Sequence, residues 1–195
     1  LMLCASLTLA RLYAARGEFD KARELINDLS LKMAQCSNPI LNCTFDLCSG
    51  YLAGVMQELH HFPQWLKVGD MQQSDILYQG MAFNYIVYGK ALLLEKDYIR
   101  LEVLCEEMYP LFSIFNNLLG YVQAYILDAV AKYNLYGAAR GRAAILSAVD
   151  IGRRDQLLLP FAEYGPHILP LLKTLEKENQ ADEYLKRLLA ETTAY

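Results

Sequence analysis

The stretch that most constrains this chain runs from Leu9 to Leu29, Leu-Ala-Arg-Leu-Tyr-Ala-Ala-Arg-Gly-Glu-Phe-Asp-Lys-Ala-Arg-Glu-Leu-Ile-Asn-Asp-Leu, in which one glycine separates two apolar stripes of helical period. Ser6, Leu9, Leu12 and Tyr13 recur at three- and four-residue spacing and predict one face of a first helix. Gly17 can take the left-handed conformation that closes such a helix, and Glu18-Phe19-Asp20 restarts the chain with acidic groups in the first turn, where the helix dipole favours them. Ala22, Leu25, Ile26 and Leu29 predict the buried face of the return helix. The small residues Ala10 and Ala22 fall where two antiparallel helices approach most closely, and Tyr13 and Phe19 fill the space around that crossing.

The same alternation of small, aromatic and turn positions comes back along the chain, in the pattern of tetratricopeptide hairpins. Tyr13, Tyr51, Leu92 and Tyr133 hold equivalent places about 40 residues apart, as do Ala10, Cys48, Gly89 and Val130. Every long apolar pattern has helical period and none has strand period, so the expected fold is all-α. It is a tetratricopeptide-like helical-hairpin superhelix, an α-solenoid with a C-terminal helical cap, forming a single domain over 1–195. The hairpins are placed at about 2–36, 39–77, 78–110 and 115–152, and the cap at 155–192. In the second hairpin, helix 40–60 is followed by His61 to Asp70, an irregular segment with a proline and the only tryptophan, which replaces a return helix. Gly50 and Gly54, one turn apart, predict close packing with a neighbouring helix. The third unit is read as a helix from Leu77 to Leu94, a turn at Glu95-Lys96-Asp97 and a return helix closed by Pro110. The fourth pairs Leu118 to Tyr136 with the helix after Gly137, and the cap is two short amphipathic helices, Ile168 to Lys177 and Ala181 to Glu191.

Composition narrows the function. With a formal net charge of -4, the segment lacks the basic excess of a nucleic-acid-binding surface, and no direct nucleic-acid contact is expected of it. Cys4, Cys36, Cys43, Cys48 and Cys105 are odd in number and without metal spacing, which predicts reduced, buried thiols of a cytoplasmic protein. No run of about 18 apolar residues is free of strongly polar groups, so no membrane association is expected. The chain starts inside a helical pattern with no initiator Met, and is read as a fragment of a longer protein.

Catalysis needs convergent polar groups, and their spacing is not found, so no enzyme, catalytic residue, metal site or cofactor is expected. His60 and His61 are neighbours and would point about 100 degrees apart on a helix, poor geometry for one metal. None of the cysteines has a base at a telling spacing. Arg140, Arg142, Arg153 and Arg154 form the densest basic cluster, either a solvated helix face or a docking patch for an acidic partner surface or for a nucleotide-bearing domain of the same polypeptide. Arg11 and Lys90 occupy equivalent places on the first helices of their hairpins, which face the concavity of a stack. With Phe45, Phe83 and Asn134 they are the candidate groove for a small effector, anionic or sugar-like, or for a peptide.

Three stretches carry a family resemblance: Phe62-Pro-Gln-Trp-Leu-Lys-Val-Gly-Asp70, Tyr85-Ile-Val-Tyr-Gly-Lys-Ala-Leu-Leu-Leu94, and Leu159-Pro-Phe-Ala-Glu-Tyr-Gly165 with Ile168-Leu-Pro-Leu-Leu172. Together they resemble the helical-repeat region of MalT-like transcriptional regulators of the LuxR family. The resemblance implies a sensor and oligomerisation module of a bacterial protein. Such a module binds a protein or small-molecule effector and controls a helix-turn-helix domain outside this chain. It also implies that ATP belongs to a domain upstream, since no G-x-x-x-x-G-K-[ST] loop occurs here, and that the full-length protein self-associates. The alternative is a stand-alone tetratricopeptide adaptor that grips a partner peptide in its concave groove.

Overall fold

In the computed structural model, which describes residues 2–74, 81–114, 116–178 and 182–195, the opening stretch is a helical hairpin. Helix α1 (Met2–Ala15) packs against α2 (Phe19–Met33). Gly17 joins them at φ +72, the left-handed region that costs a glycine least. Ala10, Ala14 and Ala22 have no exposed surface, so the two backbones meet on small residues as expected. The register of α1 differs from the expected one. Leu7, Ala10 and Ala14 face the core, while Leu9 and Leu12 stay 40% and 52% exposed. Tyr13 is half-buried.

The described residues are all-helical, and no strand occurs among them. They fall into two compact units, 1–95 and 96–195, where the sequence had been read as a single domain; the division lies at the turn assigned to the third hairpin. In the first unit α3 (Pro39–Val55) is the central element, packed against α1, α2 and α5 (Met81–Glu95). Asn38 caps α3 by accepting from Leu41 N at 3.2 Å, and Pro39 occupies the first turn. The irregular stretch after α3 holds a 3-10 turn at Leu59–His61, the short helix α4 (Gln64–Val68) and a second 3-10 turn at Met71–Gln73. The first turns of the expected helix 77–94 lie partly outside the described residues.

In the second unit α6 (Tyr98–Ile114) packs on α7 (Leu118–Tyr136), and α7 on α8 (Ala138–Arg154). Pro110 does not close α6. The helix runs past it to Ile114, losing only the bond that a missing N–H at position 110 would give to the carbonyl of Glu106. Asn117 then caps α7 by accepting from Gly120 N at 2.9 Å. The C-terminal segment folds as α9 (Leu159–Ala162), α10 (Gly165–Glu178) and α11 (Glu183–Ala194), with α10 against α7 and α8. No helix among the described residues is long and apolar enough to cross a membrane.

Candidate functional site

The chemistry of the first unit is arranged around α3, because that helix is buried along most of its length and carries different side chains on its two flanks. On one flank Gly50 and Gly54 let α5 come close. A Cβ at Gly54 would lie 2.8 Å from Lys90 Cδ and 3.0 Å from Lys90 Cβ, and one at Gly50 would lie 3.0 Å from Val87 Cγ1. The glycine pair is thus a packing device. The lysine stem runs along the missing side chain and is 2% exposed.

Three of the five groove candidates meet here, on the ring of Tyr51, which the sequence marks only as a repeat position. Lys90 Nζ stands 4.7 Å from the centroid of Tyr51 and the Arg11 guanidinium 5.4 Å from it, while the Phe83 ring lies 5.4 Å away at a 33° tilt. Each cation is attracted to the negative face of the ring, by about 0.5–2 kcal/mol depending on burial. Arg11 is exposed on α1, whereas Lys90 is enclosed. The other two candidates lie apart from this cluster. Phe45 is on the opposite flank of α3, and Asn134 belongs to the second unit, where its Nδ2 donates to Val130 O of its own helix at 2.8 Å.

The opposite flank of α3 borders a cavity of about 270 Å³, enclosed by α2 and the segment 58–63. Its polar lining includes Arg23, Asp46, Ser49, Glu58 and His61, and its apolar lining Phe45 and Phe62. Arg23 bonds both Glu58 and Asp20. Asp46 Oδ2 accepts from Trp65 Nε1 at 2.9 Å, which ties α4 to α3. A second cavity, also of about 270 Å³, shares Ser30, Phe45 and Asp46 with the first and continues to Cys36 and Asn42. The two are lobes of one furrow between α2 and α3. Asn42, Asp46, Ser49 and Ala53 recur at helical spacing as a polar and small stripe on an otherwise apolar helix, and that stripe was the available sequence signal for the furrow. Arg23, Glu58 and His61 join it from separate elements, which no spacing reveals.

His60 and His61 do not diverge as expected. They sit in a 3-10 turn with ring centroids 4.1 Å apart, and His61 Nε2 is 3.6 Å from Glu58 Oε2. Among the described residues no three His, Cys, Asp or Glu side chains gather as a metal ion would need. The five cysteines are free; Cys43 and Cys105 are buried as expected, but Cys4 is exposed and Cys36 and Cys48 only half-buried. Burial pushes the Cys105 and Cys48 thiols up, away from the thiolate form.

The basic cluster of the second unit turns largely inward on its own chain. Arg142 Nε donates to Glu178 Oε2 at 2.9 Å, joining α8 to α10. Arg153 makes two bonds to Asp182, at 2.7 and 2.6 Å, joining α8 to the start of α11. Arg140 and Arg154 are exposed. A docking patch would have only those two guanidiniums without taking one from Glu178 or Asp182. The buried Asp128 is likewise engaged, accepting from Tyr109 OH at 2.8 Å and from Lys132 Nζ at 2.7 Å. Burial, and then the Asp128 charge, hold the Tyr109 phenol well above its ordinary range.

Compared with known proteins, the chain matches no family model, no curated protein and no solved structure. The resemblance to LuxR-type regulators therefore rests on the residues quoted for it alone.

Proposed function

We propose that this chain is a non-enzymatic effector-binding module, the sensor and oligomerisation part of a MalT-like LuxR-type transcriptional regulator built from tetratricopeptide-like hairpins. The observation that carries the binding role is the furrow beside α3. Polar side chains from α2, α3 and the segment 58–63 face a space large enough for a small ligand, in a frame of helices that holds them in place. Effector binding that prefers one arrangement of the full-length protein would shift it between resting and active states by the difference in affinity. The regulator context is supported by the Pro-Phe-Ala-Glu-Tyr-Gly and Leu-Pro-Leu-Leu stretches of the C-terminal segment. ATP and DNA are assigned to other parts of the polypeptide, and the cytoplasm is its proposed compartment.

The experiment is to sequence the locus that encodes the chain. The expected reading frame carries a phosphate loop upstream and a helix-turn-helix downstream. A frame holding neither would sink the regulator reading. It would leave the second reading, a stand-alone adaptor that grips a partner peptide, which is favoured by Leu9 and Leu12 standing exposed one turn apart on α1.

A further inference from the structure

The furrow between α2 and α3 holds two buried acceptor oxygens without a hydrogen-bond partner, while two of its strongest donors are spent within the chain. Arg23 gives its hydrogen bonds to Glu58 and Asp20, and Trp65 Nε1 gives its own to Asp46. Ser49 Oγ donates to Asp46 O at 3.0 Å. At one end of the furrow Glu58 Oε2 is buried without a hydrogen-bond partner, and the His61 imidazole stands 3.6 Å from it, beyond bonding reach. At the other end Asn42 Oδ1 is buried in the same state. Its orientation is set by its own amide, because Asn42 Nδ2 must face Cys36 O, to which it donates at 3.0 Å. A buried acceptor left unmade is costly, so two of them in one furrow point to a ligand that brings donors.

The charge has the same sign as the hydrogen-bond imbalance. The first lobe presents two carboxylates, Asp46 and Glu58, against the single guanidinium of Arg23. Between the two ends lies Phe45, which lines both lobes and offers an apolar surface. A complementary ligand therefore carries cationic donors at its ends and methylene groups between them. We infer that the furrow binds a linear aliphatic di- or polyamine, with one ammonium at Glu58, another at Asn42, and the carbon chain across Phe45 and past Asp46, which line both lobes. An ammonium at the first end makes charge-assisted hydrogen bonds in a partly dry site, which are about twice as strong as neutral ones. This inference deepens the effector-binding reading and rests on it.

The probe is spermidine, titrated calorimetrically into the chain at an ionic strength of about 0.15 M, where loose surface attraction is screened. The expected result is one site per chain, with affinity falling about tenfold or more in Glu58→Gln, the loss that one charge-assisted bond gives. Glu58→Gln keeps an acceptor for Arg23, and thermal melting checks that it folds. Asn42→Leu should weaken spermidine too, while Glu107→Gln, exposed on α6 away from the furrow, should leave it unchanged. A second comparison uses the unaltered chain alone: 1,4-diaminobutane should bind more tightly than butylamine. No heat with spermidine, equal affinity for the unaltered chain and Glu58→Gln, or equal affinity for the diamine and the monoamine each overturns the inference. If another metabolite raises the melting temperature while spermidine does nothing, the amine assignment falls and the effector-module reading stands.

Discussion

At the scale of single residues, Asp182 shows how one carboxylate can serve three contacts. Its Oδ1 accepts from Leu185 N at 3.1 Å, the N-cap of α11, and both its oxygens hold Arg153 of α8. The Arg153 guanidinium lies 5.3 Å from the centroid of the Tyr184 ring, whose hydroxyl donates to Leu157 O at 2.6 Å. Burial pushes that phenol up to about 12. The hydrogen bonds from Arg153, foremost among the causes, hold the Asp182 carboxyl below its ordinary value of 3.8. A lowered folded value means that the stabilisation is present above about pH 4 and is lost as pH falls through the folded value. Asp182→Ala should therefore cost about 1–2 kcal/mol near neutral pH, through the cap and the ion pair together. Asp182→Asn keeps the cap and should cost less. Melting temperatures measured from pH 7 down to about 3 should show the gap between wild type and Asp182→Asn narrowing only at the acid end. A gap that stays constant would mean that the ion pair contributes nothing.

At the scale of elements, what decides each pairing is how closely two backbones approach. Gly54→Ala places a methyl against the Cβ of Lys90, which is fixed to its backbone and cannot swing away, so α3 and α5 must separate. The expected cost is about 1–3 kcal/mol, read from denaturant unfolding. An equally stable variant would show that α3 and α5 are not held at that spacing. Ala22→Leu should cost a similar amount, because Ala22 has no exposed surface at the crossing of α1 and α2. Lys21→Ala should be nearly neutral, since its bond to Glu18 is on an exposed side. Identical melting temperatures for the Ala22 and Lys21 variants would contradict that crossing. These pairings also show which elements could be read from sequence. Helix α7 spans the expected residues because branched side chains such as Val122, Ile126, Leu127 and Val130 mark its buried face and Gly137 marks its end. The face of α1 was misread because the residues packed at its crossing are alanines, which carry little hydrophobic signal beside Leu9 and Leu12. The furrow was legible only as the stripe on α3, since its other walls come from α2 and from an irregular turn.

At the scale of the whole molecule, the division between Glu95 and Lys96 carries a prediction of its own. Each side has a separate set of fully enclosed side chains, among them Leu47, Leu66 and Leu92 in the first unit and Phe112, Ile126, Ile145 and Phe161 in the second. Folding cooperativity follows from apolar surface buried within a unit, and about 100 residues is an ordinary size for an independent domain. Lys96 takes φ +60, a conformation unfavourable for a residue with a side chain, so cutting there removes no helix and relieves local strain. The peptides 1–95 and 96–195, produced separately, should each give a helical circular dichroism spectrum and a single cooperative thermal transition. The second should be the more robust, because ion pairs and the capping aspartate tie its C-terminal helices to α8, whereas the first keeps a polar furrow between α2 and α3. Spermidine, if it fills that furrow, should raise the transition of 1–95 and leave that of 96–195 where it is, since a ligand stabilises only the folded unit that binds it. A 1–95 peptide that melts without cooperativity would show that its core needs residues beyond Glu95 to close.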